Sequence, residues 1–365
     1  MAGGTQVEVA VVGGGPAGLT AAIALASAGI ETALISRMPP ADNRTTALWS
    51  ASVTAMEALG VWSSAKADAA ALTAIRLIDD TKRLIRAPEV LFEASEIGLE
   101  AFGYNIANRY LLAALNRRAA AFANLVLIDE AVTAVEPGQH GVTIRLDGGA
   151  TIATHLVVAA DGRKSVCRAA AGIQTERREY PQAALTLNLA HARPHGGTST
   201  EFHTESGPFT LVPLPRLRSS LVCVVDPQDA KHLTALDDAA LSDEIERRSH
   251  SILGKVRVEE GRAVFPLAIE TAHSFAKDRI ALVGEAAHVI PPIGAQGLNL
   301  GLRDVATISE LVVEARRAGG DVGAAELLAR YDRARRADVT SRAFAVDALN
   351  RSLLSDFLPV QGARG

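Results

Sequence analysis

The chain has 365 residues, a formal net charge of −4 at pH 7 and 48% apolar residues. This length predicts about two domains, and the apolar fraction is enough for a large buried core. The small net charge and the scattered arginines argue against a nucleic-acid-binding protein. Cys167 and Cys223 belong to no C-x-x-C pair and the nine histidines lack ligand-like spacing, so we expect neither a disulfide framework nor a metal site.

The sequence shows no targeting or membrane-spanning pattern. The first residues lack a basic region followed by an apolar stretch, which a signal peptide requires. No segment reaches the roughly 18 uncharged apolar residues of a transmembrane helix. We therefore expect a cytoplasmic protein.

The predicted elements begin with a β-α-β unit. A β-branched strand over 7–12 precedes an Ala- and Leu-rich helix over 16–28 and a second strand over 31–35. The later predictions are, in order, a helix around 45–59, two short strands over 74–85 turning at 79–82, a helix over 108–123, a meander over 132–152, a strand over 156–160, mostly short strands over 176–270 with one helix near 237–249, a strand over 280–283, and long helices over 297–317 and 324–354.

A glycine-rich loop joins the first strand to the first helix. Gly13, Gly15 and Gly18 form a G-x-G-x-x-G pattern. Gly13 permits a tight turn, Gly15 lets the backbone approach a pyrophosphate, and Gly18 lets helix and strand pack closely. Pro16 and Ala17 open the helix, whose N-terminal N–H groups favour phosphates. The pattern predicts a dinucleotide-binding site.

Two later strands also end in polar turns. The strand over 156–160 leads into Asp161-Gly162, and the strand over 280–283 leads into Gly284-Glu285. The second turn is followed by the stretch PPIGAQGLNLG over 291–301, which opens a helix. In order and approximate spacing, the three motifs resemble those of the single-component flavin aromatic hydroxylases.

Three other stretches resemble the ubiquinone-biosynthesis hydroxylases within that group: residues 42–48 (DNRTTAL), 103–109 (GYNIANR) and 345–351 (AVDALNR). The chain departs from the group's pattern at Glu285, where Asp is more usual. It also ends soon after Leu358-Pro359, where relatives usually continue, and we expect a shortened C-terminus to weaken membrane or partner contacts.

The combined pattern predicts an α/β fold. A Rossmann-like FAD-binding domain with a three-stranded β-meander and C-terminal helices is assigned to residues 1–72, 100–175 and 275–365. An inserted β-rich (α+β) substrate domain is assigned to residues 73–99 and 176–274.

The resemblance implies that FAD is the cofactor, that NADPH or NADH supplies a hydride, and that O₂ supplies the oxygen atom added to a phenolic ring. Arg44 and Arg109 would hold the diphosphate, and Glu285 would anchor the ribityl chain. The residues implied in cofactor binding are Gly13, Gly15, Pro16, Ala17, Gly18, Ser36, Arg37, Arg44, Arg109, Asp161, Gly284, Glu285, Gly297, Leu298 and Asn299. The flavin-ring loop supplies Pro292, Gly294, Gln296 and Gly297, and no general base is assigned.

Several of these residues have a second interpretation. Ser36 stands where a ribose-binding carboxylate is usual, and Ser36-Arg37 would also suit the 2′-phosphate of NADP, so a rival reading places NADP in the glycine-rich loop. Arg44 and Arg109 are alternatively surface charges, and Asp161 is alternatively a helix cap. His288 is either a packed structural residue or a base.

The resemblance implies a phenolic, isoprenoid-tailed substrate and the ubiquinone pathway, with other proteins of that pathway and the inner membrane face as further contacts. Apolar strands at 209–214 and 264–267 would line a groove for the tail. The alternatives are a flavin-dependent polyprenyl reductase and a non-catalytic flavoprotein scaffold of a biosynthetic complex. The sequence leaves open the ring position, the preferred nicotinamide and the oligomeric state.

Overall fold

The computed structural model describes residues 5–37, 42–83 and 86–354. Within the last helix it leaves out the side chains of 345–346 and 348–354. Most of the 345–351 stretch, and all of Leu358-Pro359, therefore fall outside the described side chains.

The strands within the described residues are numbered β1 to β20. In chain order they are Thr5–Val12, Thr32–Ile35, Thr45–Trp49, Ala69–Leu72, Ala74–Asp79, Val90–Glu93, Gly103–Ala107, Leu125–Ile128, Val132–Pro137, Val142–Leu146, Thr151–Ala159, Thr175–His191, Thr198–Thr204, Gly207–Leu214, Arg218–Val225, Val256–Val258, Ala263–Ala272, Ala276–Lys277, Ile280–Leu282 and His288–Val289.

The α-helices within the described residues are numbered α1 to α9. In chain order they are Pro16–Ser27, Ser50–Ala58, Trp62–Ala65, Asn108–Ala119, Val166–Ala170, Pro227–Ala235, Asp238–Arg248, Gln296–Arg317 and Ala325–Leu354. Short 3₁₀ turns lie at Lys66–Asp68, Ala94–Ile97 and Gly284–Ala286.

The first sheet carries five parallel strands in the order β19-β11-β1-β2-β8. These strands are near-continuous apolar runs because both faces of the sheet are covered, and residues such as Val9, Val158 and Ile280 are fully buried. Helix α1 packs against α4 and α8. Strands β9 and β10 extend from β11 as an antiparallel meander. The predicted α/β fold with a meander and C-terminal helices is confirmed.

The second sheet is mostly antiparallel, in the order β20-β17-β12-β15-β14-β13-β5-β6. Helices α6 and α7 cover one of its faces. Their side chains Leu233 and Ile245 share a buried cluster with Leu187, Phe209 and Leu221 of the strands. A third, small sheet in the order β3-β7-β4 lies between this sheet and α8.

Three local predictions were wrong. Residues 45–49 form β3 rather than a helical turn, because the β-branched Thr45 and Thr46 pair with β7. After β5, the Asp79 carboxylate accepts hydrogen bonds from the backbone N–H groups of Thr81 and Ala87, and the described antiparallel partner of β5 is β6 rather than a strand that begins at residue 82. Residues 84–85 lie outside the described residues. Helix α6 was missed.

No helix in the described part of the chain is both long and apolar enough to cross a membrane.

Candidate functional site

The sequence motifs meet at one edge of the first sheet. Register pairs place Val12 beside Ile35 and Ala159, and Ala159 beside Leu282, so the carboxyl ends of four parallel strands are aligned. The turns after them contain the glycine-rich loop, Ser36-Arg37, Asp161-Gly162 and Gly284-Glu285. Ligands of doubly wound folds bind at this edge.

The three glycines of the loop have different structural roles. A Cβ on Gly13 would lie 2.2 Å from the carbonyl oxygen of Ala160, and one on Gly18 would lie 1.8 Å from the carbonyl oxygen of Gly13. Both glycines are therefore required by the protein's own packing. Gly15 has φ −72° and ψ 175°, which any residue adopts, and its Cβ would meet no described heavy atom within 4 Å. The fold gives no reason for glycine at 15, whereas a close ligand does.

The first turn of α1 presents free backbone N–H donors to the open space beside Gly15. Pro16 is its first residue, no described side chain caps the helix, and no acidic residue lies in its first turn. Asp161 lies across the loop, where its Oδ2 accepts the backbone N–H of Cys167 at 3.1 Å. Its Oδ1 is buried and has no hydrogen-bond partner among the described residues. One Asp161 oxygen thus accepts an N–H of the first turn of α5, whose N-cap is Ser165, and the other oxygen is an unsatisfied acceptor among the described residues.

Ser36 and Arg37 directly follow β2 at this edge of the sheet. The Ser36 hydroxyl donates to the Arg37 carbonyl at 2.8 Å, and Arg37 forms an ion pair with Asp147. A cleft of about 550 Å³ lies beside them, lined by Arg37, Asp129, Glu130, Asp147 and Gly148. The carboxylate-rich lining suits a ribose and disfavours a 2′-phosphate.

Glu285 is exposed at the same edge. Its carboxylate pairs with Arg163 at 3.2 Å, and both side chains are about half exposed. Arg44 lies close enough for Glu285 to raise the pKa of its guanidinium, although hydrogen bonding to Asp42 is the larger cause. Arg44 also hydrogen-bonds Asp42 at 2.9 Å and lies 6.0 Å from the Phe265 ring centroid. Glu285 and Arg44 are therefore near enough to interact electrostatically.

Arg109 lies apart from this pair. It stacks on Tyr110 at 4.8 Å, and its Nη2 approaches the Tyr110 hydroxyl at 3.3 Å. Both residues are exposed. The described contacts of Arg109 are those of a surface cation, and its role at the diphosphate stays a prediction.

The loop before α8 has an unusual backbone. Gly294 and Ala295 have φ values of +67° and +52°, so a non-glycine residue occupies the left-handed region directly before the helix. Pro292, Gly294 and Gly297 are exposed, and a Cβ on Gly297 would meet no described atom within 4 Å. Gln296 donates to the Gly294 carbonyl at 3.2 Å. The loop presents small, open positions, as contact with a flat ring requires.

Asn299 fixes this loop to the small sheet. Its Nδ2 donates to the carbonyls of Ala47 and Ala295 at 2.8 and 2.6 Å, and its Oδ1 accepts from Trp49 N–H and the Ser52 hydroxyl at 3.0 and 2.6 Å. The side chain is 6% exposed and fully engaged. Asn299 therefore positions the N-terminus of α8, while its neighbour Leu298 is partly exposed.

Small residues allow α8 to approach the glycine-rich loop. A Cβ on Gly301 would lie 3.2 Å from the Gly284 Cα and 3.7 Å from the Ala17 Cβ. Ala17, Gly284 and Gly301 thus bring the starts of α1 and α8 to the Gly284 turn. The glycine-rich loop, the Gly284 turn and the start of α8, which are far apart in sequence, thus lie together at one edge of the first sheet.

A buried ionic network that the sequence does not predict lies behind this turn. The Asp304 carboxylate accepts from Gly284 N–H at 3.0 Å, from His288 Nε2 at 2.7 Å and from Arg335 Nε at 2.7 Å. Arg335 also pairs with Asp338 at 2.8 Å. His288 is therefore a packed residue bonded to Asp304. The only sequence signal for this network is Asp304, an acidic residue at a core-facing position of the amphipathic helix α8.

The second sheet turns its other face, here called the inner face, toward this region. Thr210 and Val212 alternate with the buried Phe209 and Leu211, so only half of the 209–214 stretch lies on the inner face. Partly exposed residues on this face of the central strands are Thr186, Asn188, Thr210, Val212 and Val222. Phe265, on β17, lies on the same face beside Arg44.

The chain is also similar in sequence to known proteins. The family model described as the FAD binding domain matches residues 6–344. The ubiquinone hydroxylase UbiL of Rhodospirillum rubrum is 35% identical, over 98% of this chain and 84% of that protein. The 3-demethoxyubiquinol 3-hydroxylase of Escherichia coli is 32% identical, over 91% of this chain and 86% of that protein.

Solved structures share the architecture. PqsL, described as a probable FAD-dependent monooxygenase from Pseudomonas aeruginosa, has a TM-score of 0.82 at 22% identity, covering 96% of this chain and 97% of that chain. The p-nitrophenol 4-monooxygenase PnpA from Pseudomonas putida has a TM-score of 0.80 at 20% identity, covering 99% and 92% of the two chains. At these identities the structural matches establish the fold.

Proposed function

The chain belongs to the FAD-dependent hydroxylase family that includes the ubiquinone-biosynthesis enzymes, and from this membership we propose that it hydroxylates a prenylated phenolic precursor of ubiquinone, using NAD(P)H and O₂. The observation that carries the proposal is the 35% identity to a ubiquinone hydroxylase along almost the whole chain. Relatives from other organisms with the same pathway in their names support it.

The residues at the strand edge fit FAD. Gly15 leaves open space where a side chain would stand, the first turn of α1 has free N–H donors, and Asp161 keeps a buried acceptor without a partner among the described residues. We propose that Gly15 and α1 hold the diphosphate, that the cleft beside Arg37 takes the adenosine end, and that Ser36 supports the ribose.

The flavin end would lie against the loop before α8. When bound, FAD accepts a hydride from NAD(P)H and activates dioxygen, so that one oxygen atom reaches the substrate ring. Glu285 would hold the ribityl hydroxyls. The backbone N–H groups at Gly297 and Leu298, in the first turn of α8, would stabilise negative charge on the reduced ring. Arg44, which interacts electrostatically with Glu285, would hold the diphosphate after giving up its hydrogen bond to Asp42.

We further propose that residues 1–72, 100–175 and 275–365 act as the FAD-binding domain and residues 73–99 and 176–274 as the substrate domain. The second sheet supports this division because its strands β5, β6 and β12 to β17 fall within or at the edges of the latter ranges. The short β20, which pairs with β17, joins the second sheet from the cofactor side.

The isoprenoid tail would lie along the inner face. Thr210 and Val212, rather than the whole 209–214 stretch, are available for contact, together with Phe265. Each tail methylene buried adds about 0.8 kcal/mol to binding, so even one isoprene unit would strongly affect affinity. We also propose that the protein works at the inner face of the membrane, with other proteins of the pathway, because such a tail partitions into the bilayer.

The test compares one phenol with and without a prenyl chain. NAD(P)H consumption and hydroxylated product are measured together, with FAD-loaded protein. We expect tight coupling and a lower KM for the prenylated phenol. Equal efficiency on the two phenols would overturn the ubiquinone-pathway assignment and leave a general aromatic hydroxylase.

A further inference from the structure

In the part of the chain that the structure describes, side-chain hydrogen bonds cover the inner face of the second sheet at two places, and the face is open between them. At one end, Asn105 of β7 donates to the Pro213 carbonyl at 2.9 Å and to the Ser220 hydroxyl at 3.1 Å. At the other end, Tyr180 and Arg178 bond to Asp347 of α9 at 2.7 and 3.1 Å. The partly exposed inner-face residues of the central strands lie between these two covers.

The loop before α8 runs between the same two contacts, that of Asn105 and that of Asp347. It starts at β20, which pairs with Glu270 and Thr271 of β17, and Arg178 pairs with the neighbouring Ile269. It ends at Asn299, which bonds Ala47; Ala47 pairs with Asn105. The loop that would contact the flavin ring therefore borders the open part of the inner face.

Glu201 is an acidic residue on β13, the strand that follows β14 at the edge of this open area. Its register partner across β14 is Thr210, so the two side chains share the inner face. The Thr210 hydroxyl donates to Glu201 Oε2 at 3.0 Å, and His203 Nε2 lies 2.9 Å from Oε1. The Glu201 side chain is 18% exposed and that of His203 is 25% exposed, so the carboxylate is fixed in place yet reachable.

The neighbouring strands add little charge. On β5, Asp79 is the register partner of His203, and its carboxylate is held by Thr81 and Ala87. On β14, the residues opposite Glu201 and His203 are the uncharged Thr210 and Pro208. Among the described residues of the two strands paired with β13, Asp79 is thus the other ionisable group on the inner face beside this pair, whereas Arg76, the register partner of Thr200, lies on the helix-covered face with Ile78.

We propose that Glu201, held by His203 and Thr210, binds the phenolic hydroxyl of the substrate and accepts its proton. This inference rests on the proposed function, because it names the group that recognises the phenol. Each carboxylate oxygen keeps a further lone pair after its observed hydrogen bond, so a phenol O–H can donate to it.

The proton transfer balances without another reactant. The O–H bond of the phenol breaks, the proton forms a bond to the Glu201 carboxylate, and the electron pair stays on the phenol oxygen. The ring becomes richer in electrons and reacts more readily with an electrophilic oxygen. When the hydroxylated product forms, the same proton returns to the phenolate oxygen, so the net reaction is unchanged.

The test uses FAD-loaded protein and two probes, 2-prenylphenol and its O-methyl ether. Glu201→Gln keeps the shape but weakens the acceptor, and Thr210→Val removes one of its supports. We expect Glu201→Gln to retain FAD and to form product from the phenol about 100-fold more slowly, as expected for loss of a general base. Thr210→Val should reduce product formation less.

The matched control is Asp80→Asn. Asp80 also bonds a histidine, His250, at 2.9 Å, but His250 contacts the ring of Phe202, which belongs to the helix-covered face of the sheet and not to the inner face. We expect wild-type product formation from Asp80→Asn. The methyl ether should bind wild type more weakly than the phenol, and Glu201→Gln should no longer distinguish the two probes.

Two outcomes separate the inference from the proposed function. If wild type forms product and Glu201→Gln matches it in rate and probe preference, the role of Glu201 is overturned while the proposed function stands. If FAD-loaded wild type hydroxylates no phenol, with or without a prenyl chain, the proposed function fails, and with it the inference.

Discussion

The Nε2 atom of His288 lies 2.7 Å from Oδ2 of Asp304, and neither side chain is more than 1% exposed. The same carboxylate accepts the backbone N–H of Gly284 and pairs with Arg335. The network therefore fixes the turn that presents Glu285. A buried carboxylate that accepts three hydrogen bonds stabilises the fold only while all three bonds are made.

Asp304→Asn should destabilise the protein strongly. The amide keeps the shape but removes the charge, which leaves Arg335 buried with only Asp338 as a described charge partner. We expect the free energy of unfolding to fall by about 3–5 kcal/mol. Urea denaturation of the apoprotein measures this directly. The exposed Glu314–Arg330 pair provides the control, and Glu314→Gln should leave the urea midpoint unchanged. A similar midpoint for both variants would contradict a stabilising role for the network.

Gly15→Val should abolish FAD binding without unfolding the protein. The backbone at residue 15 accepts valine, and its Cβ enters space that is open in the described part of the protein. The side chain would displace the diphosphate instead. Circular dichroism and FAD titration give the two readouts. Gly18→Val, which clashes with the Gly13 carbonyl, should unfold the protein. Wild-type FAD affinity in Gly15→Val would show that the diphosphate lies elsewhere.

Gly297→Ala should have opposite effects on the apoprotein and on FAD binding. Gly297 lies inside α8, where alanine is favoured over glycine by up to about 1 kcal/mol. The apoprotein should therefore unfold at a higher urea concentration. FAD should bind more weakly because the methyl group would stand where the flavin ring approaches. Unchanged FAD affinity with a more stable apoprotein would remove Gly297 from the cofactor site.

Glu285→Ala should weaken FAD binding by about 1.5–3 kcal/mol, the usual loss for one charged hydrogen bond. Glu285→Asp should cost less because it keeps the carboxylate. Arg163→Ala removes the observed ion-pair partner and leaves Glu285 in place, so it should affect FAD affinity less than Glu285→Ala does. The measurement is the dissociation constant by flavin fluorescence. If Arg163→Ala were the most damaging of the three, Arg163 would be the residue that anchors the cofactor.

The sequence predicted the parts whose signals are local. The glycine-rich loop, the meander and the two polar turns after buried strands each have a short-range pattern. Helix α6 also has one, since Asp226 caps it and Pro227 occupies its first turn, and it was overlooked. The carboxyl ends of the strands could be aligned in advance because the β-α-β pattern predicts parallel pairing.

The contacts that the sequence could not predict depend on how segments far apart in the chain pair and pack. Thr45 and Thr46 form a strand only because β7 lies beside them. Glu201 meets Thr210 across a hairpin, and His203 reaches Glu201 because the strand alternates faces. Arg335 meets Asp304 from a helix 31 residues later. Each contact depends on how whole elements pack, which single-residue patterns do not encode.

The most direct test of the central claim follows the oxygen atom. FAD-loaded protein is given NAD(P)H and 2-prenylphenol under ¹⁸O₂, and the product is analysed by mass spectrometry. A monooxygenase inserts one atom of dioxygen, so the product should carry a single ¹⁸O in a new ring hydroxyl. Oxidation of NAD(P)H with the phenol recovered unchanged, or a hydroxyl carrying oxygen from water, would contradict the assignment of this chain as an FAD-dependent aromatic hydroxylase.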